Sequence, residues 1–173
     1  MRVSRDIVRV TKQKHVVQVD TTVKTTKVLA LASGGGHWVQ LLRLRPALEG
    51  CDVIYATVKE GYRADVPGAR FVTIQNASRK SRFALLRCCW QVFKLILRER
   101  PDVVISTGAA PGYFAIRFGN WVGARTIWVD SVANVDELSL SGRKAGPHAD
   151  LWLTQWPHLA APDGPRYSGS VLA

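Results

Sequence analysis

The chain has 173 residues, is 47% hydrophobic and carries a formal net charge of +11. That length and composition can bury one good core, so a single domain is expected, and no run approaches the roughly 18 to 20 apolar residues of a bilayer-spanning helix. The charge alone suggests a nucleic-acid binder, but it is local: residues 1–27 hold +5, residues 79–100 hold +6, and everything else balances.

Residues 1–26 are Val-rich fragments broken by Lys and Thr. They lack the apolar core of a secretory signal, and read either as a basic tail or as an added edge strand. From Lys27 the pattern becomes regular. A strand is predicted at 27–33 (KVLALAS), then Gly34, Gly35 and Gly36, then a helix over about 37–48. A helix N-terminus leaves free N–H groups and a partial positive charge, and residues without a Cβ let a phosphate or sugar approach that backbone. The usual nucleotide patterns fail here: G-x-G-x-x-G would need glycine where Val39 stands, and no Gly-Lys-Ser/Thr ending follows. His37 falls in the first helical turn, where a neutral imidazole can accept a proton from a hydroxyl; the alternative is a packing histidine.

Strands follow at 52–58 (DVIYATV) and 70–75 (RFVTIQ), then a long helix over 81–99. On it Arg87, Gln91, Lys94 and Arg98 share one face, and Leu86, Trp90, Phe93 and Leu97 another. Arg79, Lys80, Arg82 and Phe83 crowd its entrance. A core helix would also bury an apolar stripe, but Lys and Arg beside Trp and Phe is the composition of a helix lying on anionic lipid. The expected membrane contacts are Arg79, Lys80, Arg82, Phe83, Arg87, Trp90, Phe93 and Lys94. No nucleic-acid recognition module accompanies these charges, so no nucleic-acid partner is expected. Cys51, Cys88 and Cys89 have neither metal-ligand spacing nor an even-numbered framework, which fits a reducing compartment.

The strand at 102–106 (DVVIS) opens into a second glycine junction, STGAAPGYFA, where Thr107, Gly108, Ala109, Pro111 and Gly112 lead into a helix over about 112–122. In a doubly wound sheet the first and fourth strands are neighbours where the order reverses, and ligands sit beyond their carboxyl ends. Both junctions are then expected to face one cleft, although each could be only a tight turn. A strand at 125–130 (RTIWVD) ends on Asp130, a rival base or hydrogen-bond partner at the same rim. The polar stretch that follows, with Ser131, Glu137, Ser139, Ser141 and Arg143, reads either as a solvated loop or as a contact to acceptor or partner. The strand at 150–154 (DLWLT) leads to Gln155 and Trp156, candidate contacts to a partner domain, with Trp156 equally suited to a core. Strands alternating with helices make the class α/β, a Rossmann-like doubly wound parallel sheet, and continuous apolar strands suit a sheet covered on both faces. No Asp-x-Asp pair appears, so no metal and no other cofactor is expected.

SGGGH after a strand, PDVVISTGAAPG, IWVDSVANVDELSLSGRKAGPHADLWLTQWPHLA and the closing RYSGSVL together resemble the membrane-associated subunit of two-subunit GT-B glycosyltransferases. That family has a eukaryotic branch acting on dolichol-linked sugar and bacterial counterparts in exopolysaccharide synthesis. The resemblance runs from about residue 27 to the C-terminus. It implies a basic extension at 1–26 and, at 27–173, the acceptor-side half of a GT-B enzyme whose UDP-sugar half is a separate subunit. It further implies transfer from UDP-N-acetylglucosamine or UDP-glucuronate to a lipid-diphosphate-linked acceptor at the cytoplasmic face of a membrane. By similarity to the enzyme that makes lipid II, Gly34 to Gly36 and Thr107 to Gly112 would hold the acceptor diphosphate. Ser131 and Glu137 would lie close by, and His37 or Asp130 near the acceptor hydroxyl. Eukaryotic members usually begin with a spanning helix, whereas this N-terminus is too polar to insert, which favours a peripheral bacterial member. The competing expectation is a scaffold that recruits the catalytic subunit to the membrane and contributes no chemistry.

Overall fold

A computed structural model describes residues 25–76 and 81–172. The elements run β1 (Lys27–Leu31), α1 (Gly36–Arg43), β2 (Asp52–Thr57), β3 (Arg70–Thr73), α2 (Arg82–Glu99), β4 (Val103–Ser106), α3 (Ala109–Trp121), β5 (Arg125–Val129), α4 (Leu140–Ala145), β6 (Leu151–Thr154) and β7 (Arg166–Tyr167). The seven strands form one parallel sheet in the order β3-β2-β1-β4-β5-β6-β7. The fold is therefore the expected doubly wound α/β sheet, with its order reversing between β1 and β4. The extension expected at 1–26 lies outside the described residues except for its last two.

Side chains of a strand alternate between faces, and β1 fills both. Leu29 and Leu31 enter a core under α2 and α3 with Ile54, Cys88, Val92, Ile96, Val104, Ile116 and Trp128. Val28 and Ala30 enter a second core under α1 with Trp38, Leu41, Tyr55 and Ile105. Burial on both sides explains why the strands read as unbroken apolar runs.

α2 starts where Ser81 Oγ accepts the Ala84 N–H at 3.2 Å, and stops at Arg100, whose φ of 44° is left-handed, just before Pro101. Two elements depart from the sequence reading. The polar stretch after β5 contains the helix α4, capped by Ser139 Oγ on the Gly142 N–H at 2.8 Å, and a short seventh strand pairs with β6. Register does the positioning that matters most: Leu31 of β1 pairs with Ser106 of β4. The two glycine junctions therefore leave the sheet side by side.

Candidate functional site

The junctions are locked to each other through His37 and Thr107. Thr107 Oγ1 donates to the His37 carbonyl at 2.6 Å, and His37 Nδ1 lies 3.0 Å from the Thr107 carbonyl. A carbonyl oxygen only accepts, so Nδ1 must carry the proton in this contact. In the neutral ring the lone pair is then on Nε2, for which no partner is found among the described residues. Half-buried at the head of α1, His37 combines an oriented ring with an open second nitrogen.

Glycine is required on both sides of this clasp. Gly35, the cap of α1, has φ 66°, and Gly108, the cap of α3, has φ 143° and lies so close to the His37 ring that a Cβ would overlap it. Gly35 and Gly36 are exposed and Gly34 half-buried, while the first N–H groups of α1 have no intrahelical acceptor. Ala109 and Ala110 offer two more such groups at the start of α3, where Pro111 has none. Ala109 sits at φ 63°, a conformation that side chains disfavour and that tends to mark functional turns.

A third loop, after β2, closes the other flank. Tyr62 Oη accepts the Gly35 N–H at 3.0 Å, and its ring stacks on Trp38 with centroids 5.4 Å apart. Trp38 is itself anchored by Nε1 donating to Asp65 at 2.8 Å. Lys59 brings a positive charge to the glycines: a Cβ on Gly34 would stand 3.5 Å from its Cε. Sequence reasoning misses Lys59 and Tyr62, which belong to no motif and follow a different strand.

Several expected site residues have other work. Asp130 is 2% exposed, and its carboxylate accepts from the Ser131 N–H (2.9 Å), Asn134 Nδ2 (2.8 Å) and the Ser139 N–H (3.0 Å). Enclosed in this way, the Asp130 carboxylate, expected as a rival base to His37, shapes the loop leading into α4. Ser131 is also buried, receiving Gln40 Nε2 at 2.9 Å. Gln155, expected at a partner surface, is a buried amide with both ends in use. Its Nε2 donates to Gln40 Oε1 (2.6 Å) and to the Asp130 carbonyl (2.8 Å), and its Oε1 accepts the Val171 N–H (3.0 Å). Trp156 is half-buried and ties the same loop down through Nε1 to the Val132 carbonyl at 2.9 Å. Pro111 and Gly112 are buried too; a Cβ on Gly112 would run into Ser106, so this glycine lets α3 approach β4. Glu137 and Arg143 of the polar stretch are exposed and paired with each other at 2.9 Å.

Gln40 is the hub that motif reading overlooks. It bonds the Gly36 carbonyl, Ser131 and Gln155, and accepts the Val132 N–H at 2.9 Å, so it fixes α1 to the loops after β5 and β6. One signal is present in the sequence: a glutamine interrupts the apolar face formed by Trp38 and Leu41.

α2 presents an unusual outer face. Phe83 is 86% exposed and Trp90 57%, with Leu86, Leu97 and, from α3, Trp121 (68%) also open to solvent. Arg82, Arg87, Lys94 and Arg98 are exposed around them, and Lys94 Nζ sits 5.6 Å from the Trp90 ring centre. Phe93 is half-buried between Trp90, Phe118 and Trp121. Arg79 and Lys80 lie outside the described residues. No helix among the described residues is long and apolar enough to cross a membrane.

A family model described as "Oligosaccharide biosynthesis protein Alg14 like" matches residues 54–171. The UDP-N-acetylglucosamine transferase subunit ALG14 of Yarrowia lipolytica is 27% identical over 164 residues, covering 78% of this chain and 75% of that protein. The UDP-N-acetylglucosamine--N-acetylmuramyl-(pentapeptide) pyrophosphoryl-undecaprenol N-acetylglucosamine transferase of Geobacillus thermodenitrificans is 26% identical over 168 residues, 84% of this chain and 46% of that protein. Among solved structures, MurG of Acinetobacter baumannii shares the fold with a TM-score of 0.66 at 12% identity, over 83% of this chain. This chain spans about half of that structure, 46%.

Proposed function

The chain belongs to the Alg14-like family of oligosaccharide biosynthesis proteins, and from that premise we propose that it is the acceptor-side subunit of a two-part UDP-sugar glycosyltransferase. UDP-N-acetylglucosamine is the donor its named relatives suggest, and the acceptor is a sugar or lipid carried on a diphosphate. A separate subunit binds the UDP-sugar and forms the facing wall of the cleft.

The observation that carries this reading is the His37–Thr107 clasp, which joins two helix N-termini and leaves Nε2 open. The free N–H groups of α1 and α3 receive the acceptor diphosphate, helped by the two helix dipoles and by Lys59. His37 Nε2 takes the proton of the acceptor hydroxyl as that oxygen attacks the anomeric carbon of the donor. The bond from that carbon to the diphosphate of UDP breaks, UDP departs with the electron pair, and the configuration inverts. Thr107 holds the imidazole in the competent tautomer, while Asp130, Gln40 and Gln155 keep the surrounding loops in place. The exposed aromatic and basic face of α2 and α3 rests on anionic lipid at the cytoplasmic side of a membrane, bringing the cleft to an acceptor that is itself membrane-bound.

The test is reconstitution with the UDP-sugar-binding subunit, a lipid-diphosphate acceptor and either UDP-N-acetylglucosamine or UDP-glucuronate. Transfer is expected only with both subunits, and His37→Ala should lower turnover by about 10²- to 10⁴-fold, the usual contribution of a general base, with the complex still assembled. Full turnover by His37→Ala would leave a recruiting scaffold in place of a subunit that takes part in the chemistry.

A further inference from the structure

Tyr62 meets the glycine turn in a way that packing does not require. Its hydroxyl accepts the Gly35 N–H at 3.0 Å, yet Gly35 is exposed, so water would satisfy that donor as well. The ring lies against the turn too: a Cβ on Gly34 would stand 3.6 Å from its Cε2. A neutral hydroxyl therefore occupies a solvent-facing donor at the head of α1.

The surroundings anchor the loop and leave the ring partly open. The turn that carries Tyr62 is tied at one end by Glu60, which accepts from Arg63 Nε at 2.6 Å and from Thr73 Oγ1. At the other end Asp65 accepts Trp38 Nε1 at 2.8 Å. Tyr62 is half-buried, and its ring stacks on Trp38 at an interplanar angle of 9°. Nearly parallel rings can slide in their own plane and stay in contact, and a slide of about 1 Å takes the hydroxyl out of hydrogen-bond reach of Gly35. Lys59 Nζ stands 5.6 Å from the centre of the same ring, within the range of a cation–π contact. It has no carboxylate partner among the described residues, and the adjacent Glu60 is already taken by Arg63.

The charge of the competing oxygen decides which acceptor keeps the Gly35 N–H. A bond to an ionised oxygen is roughly twice as strong as one to a neutral hydroxyl, and an anion at this point also meets the Lys59 charge. We propose that Tyr62 is a placeholder for phosphate: its hydroxyl caps Gly35 while the turn is empty and yields that N–H to a phosphate oxygen, as Lys59 leaves the ring for the anion. This rests on the diphosphate reading of the cleft and adds to it a residue that governs how firmly the anion is held. Full use of every donor would grip substrate and transition state alike, which lowers KM without raising kcat. By competing for one donor, Tyr62 loosens the grip and eases departure of the diphosphate-carrying product.

The experiment titrates inorganic pyrophosphate into the full chain and into Tyr62→Phe, following backbone amides by NMR. A chain of net charge +11 attracts pyrophosphate at other basic surfaces, so only the amides of Gly34 to Gly36 are read. Tyr62→Phe keeps a ring on Trp38 and removes the competing acceptor, so it should tighten binding at these amides by about 2- to 10-fold, the worth of one neutral hydrogen bond. A role that is only structural predicts looser binding instead. A second readout needs no substitution: in the parent protein the Gly35 amide and the Tyr62 ring resonances should shift together, with one midpoint. In the reconstituted pair, Tyr62→Phe should lower the acceptor KM by a similar factor, with kcat no higher than the parent's. Unchanged or weaker pyrophosphate binding by Tyr62→Phe, or a Gly35 amide that shifts while the Tyr62 ring stays put, overturns the proposal and leaves the diphosphate reading intact. Pyrophosphate that moves none of the three glycine amides removes that reading, and this inference with it.

Discussion

At the scale of single residues, Gly108 governs His37. A side chain at this position would collide with the imidazole and would also adopt a φ of 143°, strain worth about 1 to 3 kcal/mol. Gly108→Ala should therefore abolish transfer about as thoroughly as His37→Ala, and the double variant should be little worse than either, since both remove one function. The measurement is kcat of the assembled pair, with circular dichroism to show that the sheet survives. The glycines and His37 are legible in the sequence because a triple glycine before an amphipathic helix has few physical explanations. The tautomer is not, since it depends on a carbonyl 70 positions away. Asp130 shows the opposite case: its place at the rim is legible, but its role depends on Asn134 and Ser139, whose backbone path no periodicity dictates.

At the scale of elements, α2 has two apolar faces and only one core. Cys88, Val92, Leu95 and Ile96 point inward, so Leu86, Trp90 and Leu97 are left in water. The sequence reading isolates that second stripe correctly from its neighbours Lys94 and Arg87, but cannot say which stripe the sheet claims; volume and register decide that. Trp90→Ala should weaken binding to anionic vesicles by about 10- to 100-fold, the transfer energy of a large side chain. Lys94→Gln should weaken it by about 5-fold, and only at low salt. Neither should lower Tm measurably without lipid, because both side chains are exposed; a vesicle co-sedimentation series at two salt concentrations reads the difference. α4 escapes a sequence reading for a related reason. Gly142 and Gly146 read as helix breakers, yet a Cβ at the first would strike the Asp130 carboxylate and at the second the Trp152 ring. Close approach, not flexibility, accounts for them.

At the scale of the whole molecule, one ionic clasp joins the sheet edge to α2. Glu99 is buried and takes Arg70 at 2.5 Å and Arg98 at 2.9 Å, while Lys27 Nζ donates to its carbonyl at 3.0 Å. Burial alone would push the Glu99 carboxyl up; the hydrogen bonds and charges of Arg70 and Arg98 outweigh it and hold the group below its ordinary value of 4.5. Its contribution is thus fully present above pH 4.5 and is lost as the pH falls through the lowered value. Arg70→Met should cost about 1 to 3 kcal/mol at neutral pH by leaving a buried carboxylate short of a partner, and the gap to the parent protein should narrow as the buffer is taken below pH 4.5. Urea titrations at several pH values measure this. That the first and fourth strands are neighbours is a whole-molecule property that the alternation of apolar runs with helices already implies, whereas the register pairing Leu31 with Ser106 and the seventh strand are not legible in it.

α3 spans about 20 Å, thirteen residues at the usual helical rise, from the Gly108 turn at its head to the exposed Trp121 at its foot. On the proposed reading, one strut would set both how the molecule sits on a bilayer and how high the cleft stands above it. With the tryptophans seated in lipid, tilt would no longer be free. A substrate confined to the same leaflet would then be met by lateral diffusion at a fixed elevation, and the three-dimensional search would reduce to a two-dimensional one.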